Sequence, residues 1–209
     1  MSCTKEVYLE KALQFLGTTS GSVNHQALIN AYNAIVPLPR GMKANITDSW
    51  CAIYLSAIAE LTNSTDIFPC EMSAHRMMEK CKLSTIAQPG KLVFYDWDHN
   101  GWSDHVGILV RETVTQYLVL EGNSNHTVRI RYLHKTAQYI RAFGTVNWDP
   151  TVIAPVPDIN HAPSKTYAQL ALEVIQGKWG NGWTRQQRLR DAGYDYNLVQ
   201  RLVNEMLKK

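Results

Sequence analysis

The sequence predicts an α+β fold followed by a small all-α module, and three observations carry that prediction. Apolar residues recur at helical spacing as far as Pro89-Gly90, short β-branched and aromatic runs divided by polar turns follow, and helical spacing returns after a proline-rich stretch. Helices first and strands afterwards describe N-terminal helices packed on an antiparallel sheet, not an alternating βαβ chain.

Val7, Leu9, Ala12, Phe15 and Leu16 place a first helix over residues 5 to 16, stopped by Gly17. A second runs from about Asn24 to Ile35 and ends at Val36-Pro37-Leu38-Pro39. The third is expected to start at Asp48 or Ser49, either of which can cap it, and to continue through Cys51, Leu55, Ile58 and Leu61. A short fourth helix is expected near Ser73 to Lys80. Strands are expected at Leu92 to Tyr95, His105 to Val110, Tyr117 to Glu121, Val128 to Tyr132 and Tyr139 to Phe143, forming a meander. Four prolines between Asp149 and Ser164 read as a stiff linker. Helical stretches at Tyr167 to Ile175, Arg185 to Ala192 and Asn197 to Leu207 then make a three-helix module. The expected domains are therefore 1–148, linker 149–164, and 165–209.

Composition excludes several classes. With 45% hydrophobic and 19% charged residues the chain is that of a folded soluble protein. Its 21 basic and 18 acidic residues leave a net charge of +3, which makes no case for nucleic acid. Glu6, Glu10 and Lys11 interrupt any secretory leader, and no later stretch has transmembrane length, so no membrane insertion is expected. Cys3, Cys51, Cys70 and Cys81 contain no C-x-x-C pair and are expected to be reduced.

Cys51 falls in the first turn of its helix, where unpaired N–H groups and the helix dipole favour a thiolate. A cysteine in W-C-A-I-Y-L is, taken alone, more often a buried hydrophobe. A nucleophilic thiol needs a base and an orienting group. His105 opens the strand V-G-I-L-V, and Glu121-Gly122-Asn123 closes the next apolar run, so a hairpin brings His105 near Glu121 or Asn123. Thiol, imidazole and orienter from three elements are what acyl transfer requires.

W-C-A-I-Y-L-S at 50 to 56, G-K-L-V-F-Y-D-W-D at 90 to 98, S-D-H-V-G-I-L at 103 to 109 and L-E-G-N-S-N at 120 to 125 together resemble the CHAP family of cysteine, histidine-dependent amidohydrolases and peptidases, related to NlpC-type papain-like peptidases. The resemblance covers residues 1 to 148. It implies a papain-like fold with Cys51 as nucleophile, His105 as base and Glu121 orienting the ring, Asn123 being the other polar residue of the site. The Cys51 backbone N–H would serve as oxyanion donor. Trp50 and Tyr54 are candidates to wall the cleft.

A second pattern overlaps the first. Residues 96 to 104 fit D-x-D-x-N-G-x-x-D through Asp96, Asp98, Asn100 and Asp104, the front of a calcium loop, but Gly107 stands where the closing glutamate belongs. The alternative is a polar hairpin turn at Asn100-Gly101. No cofactor is required for the chemistry, and calcium would be structural.

Residues 177 to 204, G-K-W-G-N-G-W-T-R-Q-Q-R-L-R-D-A-G-Y-D-Y-N-L-V-Q-R-L-V-N, resemble the Cpl-type cell-wall-binding repeat of phage lysins. The resemblance implies a three-helix bundle that binds peptidoglycan muropeptide, with Asn181, Trp183, Arg185 and Tyr196 as candidate contacts and Trp179, Leu189, Tyr194 and Val199 as the core. The two resemblances together imply a bacteriophage endolysin, acting as muramoyl-L-alanine amidase or as stem or cross-bridge endopeptidase. It would be a monomer, held in the host cytoplasm until released to the wall. The alternatives are a non-catalytic wall-binding protein with a degenerate papain-like domain and a thiol acyltransferase of the same fold.

Overall fold

The computed structural model describes residues 3–149, 165, 167–192, 194 and 196–207. Apart from Asp149, the expected linker lies outside the described residues. The chain divides into two units, Met1–Val152 and Ile153–Lys209.

In the first unit the helices are α1 (Lys5–Leu13), α2 (Val23–Asn33), α3 (Cys51–Leu61) and α4 (Ala74–Glu79). Thr4, Ser22 and Ser73 cap α1, α2 and α4 by accepting the N–H of Val7, His25 and Arg76. The third helix departs from expectation. It begins at Cys51, two or three residues late, with Trp50 at the cap position and no side-chain capping bond. Asp48 is spent elsewhere, its Oδ2 accepting the Asn45 N–H at 2.7 Å. Residues Cys51 to Ala59 of α3 are all buried, so this apolar helix is the centre of the unit.

Six strands follow: β1 (Lys82–Ser84), β2 (Leu92–Tyr95), β3 (His105–Glu112), β4 (Gln116–Ser124), β5 (Thr127–His134) and β6 (Ile140–Thr145). Their order is β1-β6-β2-β3-β4-β5, all antiparallel. The expected meander therefore holds from β2 to β5. The sixth strand instead returns to pair with β2, and the short, exposed β1 had no apolar run to announce it.

Two glycines set how closely the layers approach. In β4, a Cβ on Gly122 would lie 2.5 Å from Tyr54 Cβ, so α3 rests directly on the backbone there. On β3, a Cβ on Gly107 would lie 2.8 Å from Glu121 Cγ and 2.5 Å from Val119 Cγ1. The β3–β4 register of Ile108↔Leu120 and Leu109↔Val119 continues to set Gly107 opposite Glu121. The missing side chain opens a diagonal path from Glu121 to His105, two residues along the same face.

The second unit contains α5 (Tyr167–Ile175), α6 (Gly182–Asp191) and α7 (Tyr196–Leu207), with α6 starting earlier than expected. Leu170, Val174, Leu189, Tyr194, Leu198, Val199, Leu202 and Val203 are its buried core.

Replacing Gly107 with alanine is expected to lower unfolding stability by about 1–3 kcal/mol, the usual cost of overpacking, read as a fall in melting temperature. An unchanged melting temperature would mean that Glu121 yields freely.

Candidate functional site

Cys51 sits at the first position of α3 and His105 at the first position of β3. Both are buried, with 5% and 6% of their surface exposed. One ring nitrogen of His105, Nε2, lies 3.2 Å from Glu121 Oε2. The charge and hydrogen-bonding capacity of this ring act on the Cys51 thiol, and with Nε2 on Glu121 the ring nitrogen left for it is Nδ1. Glu121 is fully buried, and it has three partners: the Tyr95 hydroxyl donates to Oε1 at 2.6 Å, His105 meets Oε2, and Arg131 Nη1 lies 3.5 Å from Oε2. Asn123 stands in the left-handed region at φ 55°, within the irregularity that interrupts β4–β5 pairing between Glu121 and Ser124. The carboxylate, not the amide, is therefore the group on the imidazole.

The electrostatics of these groups are mutual. Burial pushes the Cys51 thiol up, but the hydrogen bond and charge of His105, with the backbone N–H groups of Val106 and Ala52, outweigh it and hold the thiol below its ordinary value. Burial lowers His105, yet its bonds to Cys51 and Glu121 and their charges raise it to about 9. Burial raises Glu121, while His105, the Tyr95 hydroxyl and the Arg131 charge bring it below the usual carboxylate range. Both shifts run in the direction of a thiolate–imidazolium pair with a carboxylate behind it. The missing cap on α3 leaves first-turn amides free to face that thiolate.

Two expected cleft residues are interior instead. Trp50 is 2% exposed, donates Nε1–H to Ser20 Oγ at 2.9 Å and meets the His25 ring at 4.4 Å between centroids, tilted by 38°. Tyr54 is fully buried and donates its hydroxyl to the Ala12 carbonyl at 2.8 Å. Helical spacing turns both toward the core. Conversely, Tyr95 and Arg131 belong to the site and escaped notice. The available signal was R-I-R at 129 to 131, whose alternation beside β4 puts both arginines on the face of Glu121.

In the loop between β2 and β3, ligand oxygens of Asp96, Asp98 and Asp104 lie within 4.8 Å of one another. These carboxylates are already engaged. Asp96 accepts the N–H groups of Asn100 and Gly101 and pairs with Arg141 at 3.1 Å, Asp98 accepts from Asn100, and Asp104 accepts the Trp97 N–H at 2.8 Å. Burial opposes the Asp96 charge, but the Gly101 and Asn100 amides and Arg141 hold it below the usual range. Gly107, in the closing position of the pattern, lies within β3 and supplies no carboxylate. Asp96 thus pairs with Arg141, and no carboxylate stands in the closing bidentate position of the pattern.

In the second unit Trp183 is 75% exposed. Asn181 Oδ1 accepts from Arg185 Nη2 at 3.1 Å, and Arg185 also donates to the Gly180 carbonyl and Gln200 Oε1, so this guanidinium is consumed in tying the turn to α7. Tyr196 is half-buried at the start of α7. Leu189, Tyr194 and Val199 are core as expected, whereas Trp179 is only half-buried. Its ring meets Tyr194 edge-on, donates to Glu173 at 2.9 Å and borders a cavity of about 480 Å³ that Lys165, Lys178 and Arg188 also line.

Residues 168–207 match the family described as the CW_7 repeat, the cell-wall-binding repeat expected for this module. The chain is also similar to the "Lysozyme" of Streptococcus phage Cp-7, 50% identical over 47 residues, which is 22% of this chain and 14% of that protein. The chain thus spans about a seventh of the relative's length. No solved structure matches.

Activity dependent on Cys51 should follow a bell-shaped pH profile. The rate falls on the acid side as the thiolate is protonated and on the alkaline side near pH 9 as His105 loses its proton. Glu121→Gln is expected to move the alkaline limb toward neutrality and cut the rate by roughly 10²-fold or more; an unmoved limb would show that Glu121 does not support the imidazolium.

Proposed function

We propose that the protein is a phage-type endolysin, a peptidoglycan hydrolase that cleaves an amide by cysteine–histidine nucleophilic catalysis. The observation that carries this is a buried His105 with Nε2 at 3.2 Å from a fully buried Glu121, its charge lowering the thiol of Cys51 at the start of α3. The CW_7 repeat supports the wall as the place of action. The name of the phage relative belongs to that protein, of which 14% is matched, and its chemistry is not carried over. Among the described residues no helix is long and apolar enough to cross a membrane.

In the proposed reaction the Cys51 thiolate attacks the carbonyl carbon of the scissile amide, and the oxyanion that forms is met by the Cys51 backbone N–H. As the tetrahedral centre collapses, the C–N bond breaks and His105 gives its proton to the departing amine. A thioester to Cys51 remains. Water then attacks it, His105 taking the water's proton, and collapse releases the carboxylic acid and restores the thiolate. Glu121 keeps the ring oriented and balances the imidazolium charge throughout, without itself exchanging a proton. The bond is the amide between glycan and stem or a peptide bond of stem or cross-bridge.

Cys51→Ala is expected to abolish clearing of a cell-wall zymogram, a fall of at least roughly 10⁴-fold in rate, while the folded protein still sediments with purified walls. Retained clearing would overturn the nucleophile. Wild type that binds walls and leaves them intact would make it a non-catalytic binding protein, and transfer of the acyl group to an added amine in place of water would make it an acyltransferase.

A further inference from the structure

The loop between β2 and β3 holds two tryptophans in unusual positions. Trp97 stacks on His105 at 5.5 Å and 29° and on Tyr95 at 5.9 Å and 16°, yet it is 47% exposed. Trp102 lies flat on His75 of α4 at 3.8 Å and 10°, and is 49% exposed. Each ring thus packs one face on a histidine and leaves about half of its surface open to a ligand. The loop nevertheless fixes them. Asp104 accepts the Trp97 N–H at 2.8 Å, Asn100 Oδ1 accepts the Trp102 N–H at 2.7 Å, and the Ser103 N–H donates to His75 Nδ1 at 3.1 Å. Rings held in place before binding lose little freedom when a ligand arrives.

We propose that Trp97 and Trp102 form a saccharide platform that seats a pyranose ring of the substrate beside His105. This rests on the peptidoglycan-hydrolase function proposed above and sharpens it. Flat aromatic faces suit the C–H faces of a sugar. Charge selects the same occupant: Asp98 and Asp104 are exposed on this loop while the charge of Asp96 is offset by Arg141. The local excess of negative charge repels the free carboxylates of a stem peptide and leaves an uncharged sugar unaffected. A sugar seated on Trp97 would lie beside the His105 ring, and the amide closest to such a sugar along the substrate is the one joining glycan to stem. The platform therefore assigns the cleavage to an N-acetylmuramoyl-L-alanine amidase.

The test uses the full chain on a soluble muramoyl peptide and on a sugar-free cross-linked stem peptide. Wild type should cleave the first and spare the second, and a chitotetraose should compete with turnover. Trp97→Ala should raise KM for the muramoyl peptide by roughly three- to tenfold, with a smaller change in kcat and an unmoved pH profile; Trp97→Phe should recover most of the loss. Trp102→Ala should raise KM by less. Four results would overturn the platform: an unchanged KM in Trp97→Ala, an effect confined to the pH profile, cleavage of the sugar-free peptide at a rate equal to the muramoyl peptide's, or no competition by chitotetraose with wild type. The last two need no variant and stand even if Trp97→Ala does not fold. Wild type that cleaves neither substrate nor intact walls would overturn the hydrolase function itself, whereas wild type that cleaves while Trp97→Ala matches it removes the platform alone.

Discussion

Everything at the candidate centre depends on a buried carboxylate, Glu121, being held against His105. A buried charge is costly unless it is paired and hydrogen-bonded. Here the Tyr95 hydroxyl, the His105 ring and the Arg131 guanidinium share that task. In the proposed ion pair the charges alternate from Cys51 to His105 to Glu121 to Arg131, two negative and two positive. Removing any one of them would leave its neighbour uncompensated in a poorly solvated place, which is why the thiol falls while the imidazole rises.

The fold's contribution is to make that line of charges geometrically possible. Antiparallel pairing sets Glu121 opposite Gly107, and the bare Cα there lets the carboxylate lean diagonally to His105. On the other face of the same strand, Gly122 lets Tyr54 press against the backbone and so brings α3 close to the sheet. The cap of α3 is left without a side-chain acceptor, and the Ala52 N–H of its first turn helps to hold the Cys51 thiol down. A cap that would have stabilised the helix is absent where chemistry wants the free donors.

Much of this was legible in the sequence, and the exceptions have physical causes. Helices and strands were visible because their apolar periodicities are strong, as in C-A-I-Y-L-S-A-I and H-V-G-I-L-V. The β1 strand was not, since a three-residue exposed edge carries no period. The return of β6 to β2 is a long-range pairing that local pattern does not encode. Cys51, His105 and Glu121 were findable as residues at the ends of apolar elements; Tyr95 was not, because a strand tyrosine looks like core until register places it on a carboxylate, and the alternation R-I-R at 129 to 131 points to Glu121 only once β5 is paired with β4. Trp50 and Tyr54 misled for the converse reason. An aromatic next to a nucleophile suggests a cleft wall, but in α3 every face from Cys51 to Ala59 is buried.

In the proposed mechanism Cys51 is a thiolate at neutral pH because His105 and Glu121 make it one, and thiolate absorbance near 240 nm reads this directly. The titration is taken as the difference between wild type and Cys51→Ser, which removes the other three cysteines from the signal. The midpoint is expected well below the ordinary thiol value of about 8.5, and shifted upward in Glu121→Gln. A midpoint at or above that value in wild type would mean that Cys51 is a buried neutral thiol, and the nucleophile would have to be sought elsewhere.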